Sequence, residues 1–180
     1  MSVDKLSSTF PRITIDVRFE TLQWLEKLRK AEELCCVAAR TAVIEGGRHP
    51  LSLPGEGVEL TVVLTDDSRI KTLNCIYRGQ DKPTNVLSFP ALEEPSFLGE
   101  ALALGDILVA LQTTLREAEQ QAIPFADHFC HLVVHGALHL LGYDHQESDA
   151  AETMERLEAR ILAQLGIENP YADIGASTAP

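Results

Sequence analysis

PFADHFCHLVVHGALHLLGYDH, residues 124 to 145, reads as one helix followed by a chain reversal. Pro124 suits a first helical turn, and the helix is predicted to run to Leu141. Gly142 then supplies the left-handed conformation that ends a helix and turns the chain back. Working outward from this stretch, a further helix is expected at about Ser148–Leu165. The tail from Tyr171 has no periodicity and is expected to fray. Upstream, a helix at about Leu111–Ala122 follows an apolar strand over Asp106–Leu111, and Glu93–Ala103 reads as an irregular acidic loop. Val86–Phe89 and the β-branched Val58–Leu64 are strands. Between them Asp66 or Asp67 can cap a short helix through Ile70, Leu73 and Ile76, ending near Gly79. His49–Gly57 is a Pro/Gly loop. Thr21 can cap a helical stretch that carries Trp24, Leu25, Leu28, Leu34, Val37 and Ala38 as far as Gly46-Gly47. Ile13, Ile15, Val17 and Phe19 alternate with polar residues, as in a half-buried strand. Strands mixed with helices define an α/β (α+β) chain with a small mixed sheet covered by helices and a histidine-bearing helix near the C-terminus. The expected organisation is a single domain over residues 1–170 and a tail over 171–180.

The composition of this 180-residue chain sets bounds on partners. Its net charge of −12 is carried entirely by residues 93–180, while residues 1–92 are neutral overall. A general nucleic-acid binder shows a basic footprint instead, so a polyanion is expected to approach over the first half. No apolar run reaches the ~18 residues of a membrane span. The opening MSVDKLSSTF lacks the pattern of a signal peptide, so the chain reads as cytoplasmic. Cys35, Cys36, Cys75 and Cys130 have no metal-ligand spacing and are expected to be reduced, buried, small apolar residues.

His135, His139 and His145 carry the chemistry. On a helix, His135 and His139 project from one face about 6 Å apart along the axis, so both can reach one ion. The reversal at Gly142 brings His145 back to that face. Three neutral nitrogen donors with a fourth position open match catalytic rather than structural zinc, although nickel, cobalt or copper would accept the same donors. His128 and His131 share a face with His135 and are either supporting or substrate contacts, or else solvated or packing residues. The spacing equals that of the metzincin proteases, but Gly136 stands where those enzymes carry their glutamate base. Peptide hydrolysis without that carboxylate lacks its water activator, whereas phosphodiester cleavage depends less on it. Asp144 is the nearest replacement base, or a turn residue only.

The second informative stretch is Tyr77-Arg-Gly-Gln-Asp-Lys-Pro-Thr-Asn-Val-Leu-Ser-Phe-Pro90. Arg78 and Lys82 flank a turn, with Thr84, Asn85 and Ser88 as hydrogen-bonding groups beside them. A guanidinium forks onto phosphate oxygens, which makes Arg78 a candidate phosphate clamp. Together with Leu104-Gly-Asp-Ile107 and the histidine motif, this stretch resembles the YbeY family of bacterial endoribonucleases and ribosomal-RNA maturation factors. The resemblance runs from about Val58 to Tyr171. It implies zinc, one ion per chain, on His135, His139 and His145, with Arg78 as the arginine of the active cleft. It also implies single-stranded RNA as substrate, maturation of the small-subunit ribosomal RNA 3′ end, and ribosome quality control. The residues leave two other readings open: a metalloprotease-like hydrolase, and a non-catalytic ribosome assembly factor stabilised by zinc.

Overall fold

The computed structural model describes residues 12–47, 57–91, 97–98, 101–145 and 147–172. Strands β1 (Arg12–Phe19), β2 (Gly57–Thr65), β3 (Val86–Pro90) and β5 (Ala101–Ala110) form a mixed sheet in the order β1-β2-β5-β3. The first three in that order run parallel, and β3 is antiparallel to β5. The two-residue β4 (Phe97–Leu98) pairs with the first residues of β5. Helices α1 (Gln23–Lys27) and α2 (Ala31–Gly46) link β1 to β2, and α3 (Asp67–Arg78) links β2 to β3. After β5 come α4 (Leu111–Gln120), α5 (Phe125–Leu140) and α6 (Ser148–Gln164).

Period-two alternation sorts the strands between two cores. On β5, Ile107 and Val109 face a large cluster with α2, α5 and α6, while Leu108 and Ala110 face a small one with Ile70 and Leu73 of α3. Strands β2 and β5 are therefore covered on both faces, whereas β1 at the edge exposes Arg12, Thr14 and Arg18 and keeps its alternation. Helix α5 lies at the centre: ten of its sixteen residues are buried, from His128 to Leu140. Its close approach to the sheet depends on Gly136, where a Cβ would lie 2.7 Å from Ile107 Cγ2 and 3.1 Å from Ser88 Oγ.

Three expectations change. The helix read from Thr21 to Gly46 is two helices, broken where Leu28 leaves helical geometry at φ −144° and ψ 88°. Trp24 anchors α1 in the core, packed against Phe125 and Phe129, and the Thr65 carbonyl accepts its indole N–H at 2.9 Å. α2 buries small residues instead, with Ala31, Cys35, Ala38, Ala39 and Ala42 fully covered. The N-cap position of α1 falls on Leu22, and the Thr21 hydroxyl accepts the N–H of Gln23, the first helical residue, at 3.4 Å. Second, β5 begins at Ala101 instead of Asp106, and β4 lies within the stretch read as a loop. A register shift against Glu59/Leu60 places a β-bulge beside Gly105. There φ is +129°, and any Cβ would meet the Phe89 carbonyl oxygen at 2.1 Å. A bulge inserts a residue and breaks the alternation, so the first half of the strand has no period-two signature. Third, Cys35 and Cys130 are buried and all four cysteines are free, but Cys75 is exposed on the outer side of α3 and Cys36 is half-buried. The loop read at His49–Gly57 lies outside the described residues except for Gly57, which opens β2.

Candidate metal centre

The C-terminal end of α5 builds the histidine group. Gly142 takes φ +84°. The Tyr143 N–H reaches back to the Leu138 carbonyl at 3.0 Å, the long bond of a Schellman cap. Tyr143 is buried and its hydroxyl donates to the Gly46 carbonyl at 3.0 Å, pinning the reversal to the end of α2. The chain then returns past Asp144, whose carboxylate accepts the His145 N–H at 2.7 Å. One nitrogen from each of His135, His139 and His145 lies within 4.8 Å of the others.

The tautomers of this group follow from its partners. His139 Nδ1 lies 2.9 Å from the Tyr143 carbonyl, an obligate acceptor, so that nitrogen carries the proton. His135 Nδ1 lies 2.7 Å from Glu158 Oε1 and donates to it in the same way. Both Nε2 atoms then present lone pairs, and they face each other across 3.0 Å. Two acceptors at that distance repel unless a cation lies between them. Two tetrahedral metal bonds of ~2.0–2.1 Å place their nitrogens about 3.3 Å apart, so the donor set fits a metal ion. Burial, then the charge of His135, lowers the pKa of His139, so its ring stays neutral and able to coordinate further into acid.

Glu158 is the functional residue that the sequence reading missed. It is 1 % exposed on α6 and also takes hydrogen bonds from His131 and the Tyr171 hydroxyl. Burial alone would raise its carboxyl pKa, but the hydrogen bonds from His131 and His135, the charge of His135 and the Tyr171 hydroxyl outweigh that and hold it at about 2. A signal was present: Met154, Leu157, Ile161 and Leu162 form the core stripe of α6, and Glu158 stands in that stripe. A carboxylate there demands buried partners.

The histidines open onto a cleft of about 900 Å³. Arg78, Lys82, Thr84, Asn85 and Ser88 line it with His135, His139 and His145, so the two informative stretches share one cavity. Gly79, with φ +67°, ends α3 and turns the chain into this wall. Asn74 fixes the loop beyond by donating to the Lys82 carbonyl at 2.8 Å. Arg78 is exposed and makes no ion pair with any described residue, so its guanidinium is available. Ser88 donates to the Gly136 carbonyl at 3.3 Å. Asn85 is fully engaged: its carbonyl oxygen accepts the Val86 N–H at 2.7 Å and its amide donates to Glu117 at 2.9 Å. Arg116 of α4 adds a third cation, also missed because the second half of the chain is acidic overall. Asp144 is exposed, absent from the cleft lining and occupied by the turn. His128 and His131 are outside the lining too: His128 binds Glu117 at 2.8 Å, and His131 binds Glu158.

A mixed α/β sheet that sets three metal-compatible imidazoles in a cleft with Arg78, Lys82 and Arg116 defines a class: a hydrolase scaffold suited to an anionic substrate. The comparisons narrow it. The family described as endoribonuclease YbeY matches residues 38–166. A protein of Sinorhizobium medicae named endoribonuclease YbeY is 48% identical over 164 residues, covering 90% of this chain and 96% of its own length. One of the same name from Paramagnetospirillum magneticum is 46% identical over 164 residues, covering 89% of this chain and 97% of its own. A third, from Bradyrhizobium diazoefficiens, is 57% identical over 118 residues, 64% of each chain. The chain belongs to the endoribonuclease YbeY family.

Proposed function

We propose that this protein is a zinc-dependent endoribonuclease that cuts single-stranded RNA, acting in the cytoplasm in maturation of the small-subunit ribosomal RNA 3′ end and in ribosome quality control. The endoribonuclease activity rests on family membership over most of the chain. The observation that carries the rest is the shared cleft: three imidazoles and Arg78, which pairs with no described residue, face one space.

His135 and His139 would hold zinc through Nε2, with His145 completing the set, one ion per chain. A zinc ion held there supplies Lewis acidity toward a phosphoryl oxygen. The remaining chemistry belongs to the chain. Glu158 and the Tyr143 carbonyl fix the tautomers of His135 and His139 before any ligand arrives. Arg78 offers a planar fork for two phosphoryl oxygens, where charge develops during cleavage. Lys82, beside it, draws in the backbone. Asn85 and Ser88 act through the strand: Asn85 anchors the start of β3, and Ser88 ties β3 to α5.

Gly136 speaks against a protease. The position that would need a glutamate has no room for a Cβ against Ile107, so the packing of helix on sheet and a protease base are incompatible here. The test is a cleavage assay with zinc-quantified protein on single-stranded RNA and on an unstructured peptide, beside His139→Ala and Arg78→Ala. RNA cleavage lost in both variants, with no peptide hydrolysis, is the expected result. Chelator-sensitive peptide hydrolysis by the unaltered protein would overturn it.

A further inference from the structure

The segment that follows α6 returns to the back of the metal centre. Gly166, with φ +74°, reverses the chain, and the Ile167 N–H caps α6 on the Leu162 carbonyl at 2.9 Å. Ile167 packs on the large core. Asn169 then forms a second turn, its side chain accepting the Tyr171 N–H at 3.0 Å. Two turns in six residues deliver the Tyr171 hydroxyl to Glu158 Oε2.

Donors and acceptors there allow one arrangement. The Tyr171 hydroxyl has a single proton, which goes to Glu158. His131 Nε2 lies 3.3 Å from Glu158 Oε2 and 3.3 Å from the Tyr171 oxygen, so its N–H is shared between those two acceptors. The Tyr171 ring stands edge-on to His131, at 5.9 Å between centroids. Glu158 Oε2 is therefore held from two sides, which leaves Oε1 directed at His135 Nδ1, 2.7 Å away. A carboxylate held by one contact can swing about its last torsion, but one held on both oxygens cannot.

We infer that Tyr171 and His131 are positioning residues for the metal: by locking Glu158 they orient His135, so the segment after α6 governs how tightly the ion is held. The inference rests on the metal reading above. Neither residue lines the cleft. His131 also meets the His135 ring edge-on, at 6.4 Å between centroids, whereas Tyr171 reaches the histidine group through Glu158 and His131, which makes it the cleaner probe. Outer partners of metal-bound histidines typically change metal affinity by about 10–100-fold when lost.

The test is competition between metal-free protein and a chromogenic chelator for Zn²⁺, using wild type, Tyr171→Phe and His131→Phe. Melting temperature without metal is measured in parallel. Tyr171→Phe keeps the ring against His131 and removes only the hydroxyl. We expect zinc affinity to fall about 10-fold or more in both variants, with the metal-free melting temperature of Tyr171→Phe close to wild type. Unchanged affinity in Tyr171→Phe overturns the inference, whatever its melting temperature does, and makes the hydroxyl a packing contact. If His131→Phe unfolds, Tyr171→Phe decides alone. Wild-type protein that binds no zinc refutes the metal reading itself, an outcome distinct from wild type and variant binding equally.

Discussion

His135 and His128 occupy one face of α5, seven residues and about 10.5 Å of rise apart, and each is paired with a carboxylate from a neighbouring helix. His135 is bonded to Glu158 of α6, and His128 to Glu117 of α4. The two pairs differ in which ring nitrogen is engaged. His135 uses Nδ1, so Nε2 at the far end of the ring is left with its lone pair facing His139 and His145. His128 uses Nε2, and its Nδ1 is buried against the helix with no partner among the described residues. The same residue type, on the same face, beside the same kind of partner, joins a metal-compatible histidine group in one place and is a strut in the other. What separates them is the direction from which the carboxylate arrives, set by α6 at one end of α5 and by α4 at the other.

The largest effect is expected at the ligand end. His139→Ala removes one of two facing Nε2 atoms and leaves two imidazoles that no longer converge. Elemental analysis should fall from about one zinc per chain to nearly none, and RNA cleavage should fall with it. Full metal content in the triple variant at His135, His139 and His145 would move the site elsewhere.

Arg78→Ala comes next. It should leave zinc content and melting temperature unchanged, because the side chain is exposed and unpaired. Cleavage should slow by ~10²-fold or more, the scale of losing one preorganised charge donor. Arg78→Lys should recover only part, since a point charge cannot fork onto two oxygens. Wild-type cleavage by Arg78→Ala would reduce the site to the metal and its histidines.

A smaller effect separates Glu158 from Glu117 by pH. A carboxyl held below its ordinary value stabilises the fold fully above its unfolded pKa and loses that contribution as pH falls toward the folded one. For Glu158 the window runs from about 4.5 down to about 2. In metal-free protein the melting temperature of wild type should therefore drop through that range more steeply than that of Glu158→Gln, the loss amounting to a few kcal/mol. Glu117 is also lowered, against burial, by His128 and Asn85, but less far, so Glu117→Gln should change the acid limb less. Parallel acid limbs for wild type and Glu158→Gln would show that the buried carboxylate gains nothing from its partners.

The clustering of the three histidines was legible in the sequence because its geometry is local. A four-residue spacing on a helix and a glycine at the reversal place His135, His139 and His145 without reference to the rest of the chain. Strands β1, β2 and β3 and the Asp66 cap of α3 were legible for the same reason. Glu158 was not, since its meaning depends on α6 packing against α5 and on a partner at residue 171. Tyr171 itself opens the tail expected to fray, yet it is bonded to Glu158; residues 173–180 lie outside the described ones. The bulge beside Gly105 hid half of β5 because it spoils the very period by which a strand is read. Gly136 was legible as a missing base, but its packing role against Ile107 needed the sheet in place.

His128→Ala carries the smallest expected effect on the metal, and it bears most directly on the comparison. If the direction of the carboxylate decides which histidine ligates, removing His128 leaves the zinc stoichiometry and affinity of the protein as they were. Stability should fall by about 1–3 kcal/mol, because Glu117 loses a charge-assisted hydrogen bond and a half-buried carboxylate is left with Asn85 alone. Part of that loss is recovered, since the unpartnered Nδ1 no longer has to be desolvated in the fold. Chemical denaturation of metal-free protein measures the stability change, and chelator competition measures the affinity. A tenfold drop in zinc affinity would show that the two ends of α5 are coupled through the helix. His128 would then belong to the metal centre despite the two turns between them.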